Sequence, residues 1–157
     1  MIADLELTLA TRIGVKYQDR SFKSERNFLD FSINGQSLWE KVGKDRDSVS
    51  IFCREFLLNE SIRAANRLLL TEKADCPGNR RSLFICAECG DLGCGAITAV
   101  VKSDDGAIIW SDFGFENNYE HDIHLDNYRG VGPFVFDSAS YSHALLGGID
   151  WLKASRR

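Results

Sequence analysis

Between positions 83 and 113 the chain reads as three short apolar strands, 83–86, 96–102 and 107–113, joined by two tight connections. Strands linked this closely pair antiparallel, because a parallel return needs a crossover of a dozen or more residues. Asp104-Asp105-Gly106 between the second and third is a hairpin signal, since its backbone must enter the left-handed region that glycine tolerates. The first connection is Cys86-Ala87-Glu88-Cys89-Gly90-Asp91-Leu92-Gly93-Cys94-Gly95. It returns the chain on itself and places three cysteines at one end of the predicted sheet.

A Cys-x-x-Cys turn followed by glycine sets two sulfurs on one side of a tight bend, as a tetrahedral metal requires. Cys86, Cys89 and Cys94 supply three of four ligands, and zinc suits the set better than an iron–sulfur cluster, whose usual spacings differ. The alternative is inert: small buried thiols in a glycine-rich turn. The fourth ligand follows from the strand order. If the third strand climbs back to the cysteine end, segment 114–126 emerges beside the cysteines and brings His121 or His124 within reach. Cys76 lies ten residues before Cys86, and an extended link would leave it at the far end of the sheet.

The rest of the chain completes one domain over 1–157. With 157 residues, 44% of them hydrophobic, such a domain buries roughly two-thirds of its unfolded-chain surface. Leu5, Leu7 and Leu9 alternate with polar residues, as do Leu29, Phe31 and Ile33 before the Asn34-Gly35 turn, so both segments are half-buried strands. Segment 11–26 is an irregular loop or ragged edge, and 36–42 a short amphipathic helix. Segment 49–58 is ambiguous between strand and helix. Asn59-Glu60-Ser61 offers caps for a helix to about position 72. A short strand at 134–136 precedes a helix that Asp137 caps and that runs to about position 154, with Gly147-Gly148 weakening it. Trp110 shares a face with Ile108 and Asp112 on a central strand, and Ile109 and Phe113 take the other face. The fold class is α+β: a single domain with a mostly antiparallel sheet and helices packed on one face.

Charge is uneven. Positions 103–128 hold seven acids (Asp104, Asp105, Asp112, Glu116, Glu120, Asp122 and Asp126) and no Lys or Arg, so the chain's net −4 leaves +3 elsewhere. That field repels phosphate backbones and disfavours nucleic acid. It suits a basic protein partner, with Asp112, Phe115, Glu116, Tyr119, Glu120, Asp122 and Asp126 as the binding residues. No apolar run reaches membrane-spanning length. The acidic, alternating N-terminus lacks a signal peptide's features, and five cysteines are an odd number, so the expected compartment is a reducing cytoplasm.

The stretches LFICAECGDLGCGAITAVV, IIWSDFGFENNY and GVGPFVFD resemble a family of short bacterial proteins without an established function. Its members share a C-x-x-C-G-D-[LI]-G-C-G turn, a W-x-D-F segment and a late aromatic strand. The likeness spans about 27–152, and Cys76 lies outside its pattern. In size, charge and compartment the chain is also similar to immunity proteins of contact-dependent toxin systems, which implies an inhibitor that covers a cognate, basic toxin domain.

Three other readings compete. A thiol redox enzyme would use Cys86 and Cys89, but a reactive pair sits at a helix N-terminus, and glycines follow here. A zinc hydrolase could take Glu88, Asp91 or Glu116 as base, yet three cysteines suit a structural site and no His-Glu-x-x-His is present. A nucleic-acid module is disfavoured by the charge, and no nucleotide-cradling phosphate loop is present, because Gly130-Val131-Gly132 precedes a strand instead of following one.

Overall fold

The computed structural model describes residues 1–120 and 122–155. It is an α+β fold with three antiparallel sheets. Strand β1 (Leu5–Arg12) pairs along its whole length with β4 (Arg26–Ile33), and β4 also pairs with β5 (Gln36–Ser37). Between β1 and β4 the irregular stretch carries a small hairpin, β2 (Val15–Lys16) with β3 (Phe22–Lys23). The large sheet has the order β10-β9-β8-β7-β6, from Phe134–Asp137, Ala107–Glu116, Ala96–Asp104, Arg80–Cys86 and Ser48–Ser50. The three-strand run is therefore a meander at the sheet's centre, and Asp105 and Gly106 take φ 47° and 79° in its turn.

The ambiguous stretch after position 49 finishes β6 and then departs from the sheet. Its next residues reach the small sheet: Phe28 and Cys53 form an isolated antiparallel bridge, and the Leu29 amide donates to the Phe52 carbonyl at 3.0 Å. At the other side, the Ala3 amide donates to the Val135 carbonyl at 2.6 Å beside β10. The two sheets are thus stitched together along both margins.

Helix α1 spans Leu58–Leu68 and α2 spans Ser138–Ala154. The Asp137 carboxylate accepts from the Ser140 amide at 3.0 Å, the cap its sequence promised. Helix α1 differs from expectation. It starts at Leu58 after an uncapped Leu57, so Asn59, Glu60 and Ser61 lie inside its first turn. It stops at Leu68, because Leu70 enters the left-handed region at φ 63°. The segment after β5 makes one wide helical turn, Trp39–Gly43, that buries Leu38 and Val42. Gly148 does not split α2. A Cβ there would stand 2.6 Å from a Leu7 methyl and 2.7 Å from the Phe52 ring, so the bare backbone lets the helix seat on the small sheet.

The core gathers on the Trp110 face of the large sheet, where Phe31, Phe136 and Tyr141 meet the indole edge-on at centroid distances of 5.3, 5.0 and 5.9 Å. Tyr141 belongs to α2, and its hydroxyl donates to the Leu68 carbonyl of α1 at 2.7 Å, which ties both helices to the sheet. Phe113 joins this face and does not take the opposite one as the alternation predicts. Asp112 has φ 52° at a bulge where β9 carries one residue more than β8, and the extra residue shifts the pattern by one. Among the described residues no helix is long and apolar enough to cross a membrane.

Candidate metal centre

Strand β7 ends in Cys86, and the chain turns through 87–95 before β8 begins at Ala96. The Cys89 amide points back at the Cys86 sulfur at 3.4 Å, and the Gly90 amide donates to the Cys86 carbonyl at 2.9 Å. Gly90 takes φ 72° with the Phe56 ring 3.0 Å from its absent Cβ, so a side chain here would be both strained and crowded. The Asp91 carboxylate accepts from the Gly93 amide at 2.7 Å, and one helical turn, Leu92–Cys94, brings the third sulfur round. The sulfurs of Cys86, Cys89 and Cys94 all lie within 4.8 Å of one another, a cluster that could hold a metal ion. Cys86 is half-buried and the other two are exposed. Burial pushes the thiols of Cys53 and Cys76 up, and neither joins the cluster.

Hydrogen bonds from Cys94 and then Cys86, with desolvation and sulfur–sulfur repulsion, push the Cys89 thiol up to about 12. Without a cation the cluster keeps that proton, and a divalent ion reverses the balance because a coordinating thiol is deprotonated outright. Three sulfur donors this close together suit a thiophilic metal ion, zinc among them.

Groups far away in sequence hold the turn. Ala87 is fully buried with Phe28, Val49 and Cys53. Its carbonyl accepts from Arg26 Nε at 2.8 Å. Glu88 accepts from Arg12 Nη1, from the Ser24 amide at 3.0 Å and from the Ser24 hydroxyl at 3.0 Å. Arg12 also reaches Asp47 with Nε and Nη2 at 2.9 and 2.8 Å. None of these partners has a local sequence signal, since each contact depends on strand register.

This clamp carries a pH dependence. Arg12 above all, with the Ser24 bonds, holds the Glu88 carboxylate down to about 2 from its ordinary 4.5. A depressed carboxylate stabilises the fold above about pH 4.5, and that contribution is lost as pH falls towards 2. In metal-free, reduced protein, the Tm gap between the parent and Glu88→Gln is expected to be open at neutral pH and to close over that window. Parallel Tm curves through the window would assign the clamp no role in stability.

Segment 114–126 returns to the cysteine end, as the strand order requires. Phe115 and His124 exchange backbone hydrogen bonds of 2.9 and 2.8 Å, and the Phe115 ring lies on Gly95 directly after Cys94. His124 itself pairs with Glu120 through Nε2 at 2.5 Å and is not within the sulfur cluster. His121 lies outside the described residues.

The acidic segment is less uniform than its composition. Glu116 is buried, with an Oε2 that accepts from Arg80 Nε at 2.9 Å and from the Thr98 hydroxyl at 2.5 Å. It is a compensated internal charge and not a surface contact. Phe113 and Tyr128 are buried, and Phe115 is half-buried with the Arg46 guanidinium 4.2 Å above it, so these rings are not presented to solvent. Tyr119, 81% exposed, is the aromatic of this group that stands free. Asp126 pairs with Arg129 at 3.0 Å. Asp112 and Asp122 are exposed, and neither makes an ion pair among the described residues. No protein-family model, curated protein or solved structure matches the chain.

Proposed function

We propose that this chain is a zinc-stapled binding protein that acts by recognising a basic protein partner and not by turnover. The three-sulfur cluster on a clamped turn is the observation that carries the metal half of the reading. The exposed acids Asp112, Glu120, Asp122 and Asp126, with Tyr119 among them, support the partner half. An immunity-type inhibitor that covers a cognate toxin domain in a reducing cytoplasm is the form these features fit best. The thiol redox alternative has less behind it, because Cys86 and Cys89 sit in a glycine-rich turn between two strands and not at the N-terminus of an α-helix, which would lower a thiol pKa.

Protein purified under reducing conditions is expected to carry about one zinc per chain by elemental analysis, with Cys86, Cys89 and Cys94 protected from thiol reagents until a chelator is added. Cys89→Ser should lose the metal and lower the Tm, yet leave a folded protein, because Arg12, Arg26 and Ser24 hold the turn without it. His121→Ala and His124→Ala, compared in cobalt-substituted protein, identify the fourth ligand by which one alters the visible absorption. Metal-free, fully folded protein with all three thiols freely reactive would overturn the metal reading.

A further inference from the structure

Strand β1 has one edge paired and one edge open. It runs against β4 from Leu5 opposite Ile33 to Arg12 opposite Arg26, and it is the end strand of the small sheet. One step before that register the Asn34 amide donates to the Asp4 carbonyl at 2.9 Å. The even-numbered residues of β1 therefore turn their backbone groups towards β4, and the odd-numbered ones turn theirs outward. Ala3 obeys the same alternation, with its amide bonded outward to Val135. Leu5, Leu7, Leu9 and Thr11 thus present N–H and C=O groups to the open side, where none of them has a backbone partner among the described residues. A bare edge is a template for another strand, and proteins usually blunt it with proline, lysine or a bulge. In β1 there is no proline, no lysine and no break in the register.

A groove of about 790 Å³ lies between this strand and α2. Leu5 and Leu7 line one side of it, and Ala144, Gly147, Gly148 and Trp151 line the other. A Cβ at Gly147 would meet nothing within 4 Å, so the helix leaves room there. Leu9, next along the strand, is 68% exposed. Asp4 and Glu6 also line the groove, and no lysine or arginine does. Neither carboxylate makes an ion pair or hydrogen bond among the described residues. We propose that an extended segment of the partner protein adds to β1 as a further strand of the small sheet. Its backbone bonds the outward groups of Leu5, Leu7 and Leu9. Side chains alternate along a strand, so apolar ones on one face enter the groove against Leu7 and Trp151 while lysine or arginine on the other meets Asp4 and Glu6. The assignment rests on the partner being basic, as proposed above, and gives that partner a contact read through its backbone.

The test uses the full chain under reducing conditions and a short labelled peptide of alternating lysine and valine, with a glutamate–valine peptide as control. Two further lysine–valine peptides are N-methylated, one at its valines and one at its lysines. One of them loses the donors that face β1 while charge and side chains stay, and it should bind roughly tenfold or more weakly than the other. Hydrogen exchange at the Leu5, Leu7 and Leu9 amides should slow about tenfold or more when the lysine peptide is added. Leu9→Pro deletes one outward donor and spares the ladder to β4, as an edge strand tolerates. Gly147→Leu fills the groove from α2 and, by replacing a helical glycine, should hold or raise the Tm. Each variant should weaken lysine-peptide binding roughly tenfold. Equal binding of the two methylated peptides, unchanged exchange at those amides, or full-strength binding by Gly147→Leu would overturn the strand addition and leave the basic-partner reading standing. A parent protein that does not prefer the lysine peptide to the glutamate peptide would overturn both.

Discussion

Replacing Trp110 with alanine is expected to cost about 3–5 kcal/mol of folding stability, at the upper end for a single core truncation. The indole is fully buried and is the largest of the sealed side chains. It touches Phe31 of the small sheet, Phe136 of β10 and Tyr141 of α2, so the cavity would open where three layers converge. The loss is also polar. The Trp110 N–H donates to the Tyr141 hydroxyl at 3.1 Å, and that hydroxyl donates onward to Leu68. Trp110→Phe separates the two contributions: it keeps most of the ring contact and removes the donor, at an expected cost nearer 1–2 kcal/mol. Chemical denaturation of the three proteins measures both. A loss below about 1 kcal/mol for the alanine variant would contradict the core placement.

The second large effect is expected at Glu116. Glu116→Ala leaves the Arg80 guanidinium, its side chain 5% exposed, without its counter-charge, and breaking one half of such a pair costs about 3–5 kcal/mol. Arg80→Met alone should cost a similar amount, because it strands the carboxylate. Arg80→Met combined with Glu116→Met should be milder than either single change, since two apolar side chains of similar length leave no charge to solvate. Additive losses in that double-mutant cycle would mean the two groups are not energetically coupled. A cost below about 1 kcal/mol for Glu116→Ala would place the carboxylate in water after all.

Glu116 also marks the boundary of what the sequence makes legible. Read along the chain it is one acid among seven, and only the register of β7, β8 and β9 puts it against Arg80, 36 positions away. The features that could be read are those with short-range causes. Asn34-Gly35 and Asp105-Gly106 turn because their backbones enter the left-handed region, Asp137 caps because Ser140 is three residues on, and the sulfurs converge because the turn between β7 and β8 is short. The return of segment 114–126 to the cysteine end follows from counting strands. The bulge at Asp112 could not be read, and it alone moves Phe113 onto the Trp110 face. The clamp on Glu88 was equally hidden, because Arg12 lies 76 positions away in another sheet.

The stitching of the two sheets has a consequence for how this chain reaches its fold. Ala3 meets β10 near the far end of the sequence, and Cys53 meets Phe28, so the β1–β4 pair is anchored on one margin early and on the other only once position 136 is available. A ribosome would have to release the chain as far as position 136 before that last seam could form. Contacts so distant along the chain must overcome large loop entropy before they reward it, which places such topologies among the slower folders. During synthesis β1 is therefore a waiting strand with Leu9 bare to solvent, as it remains in the finished protein. It is the segment on which a chaperone has the longest time to act.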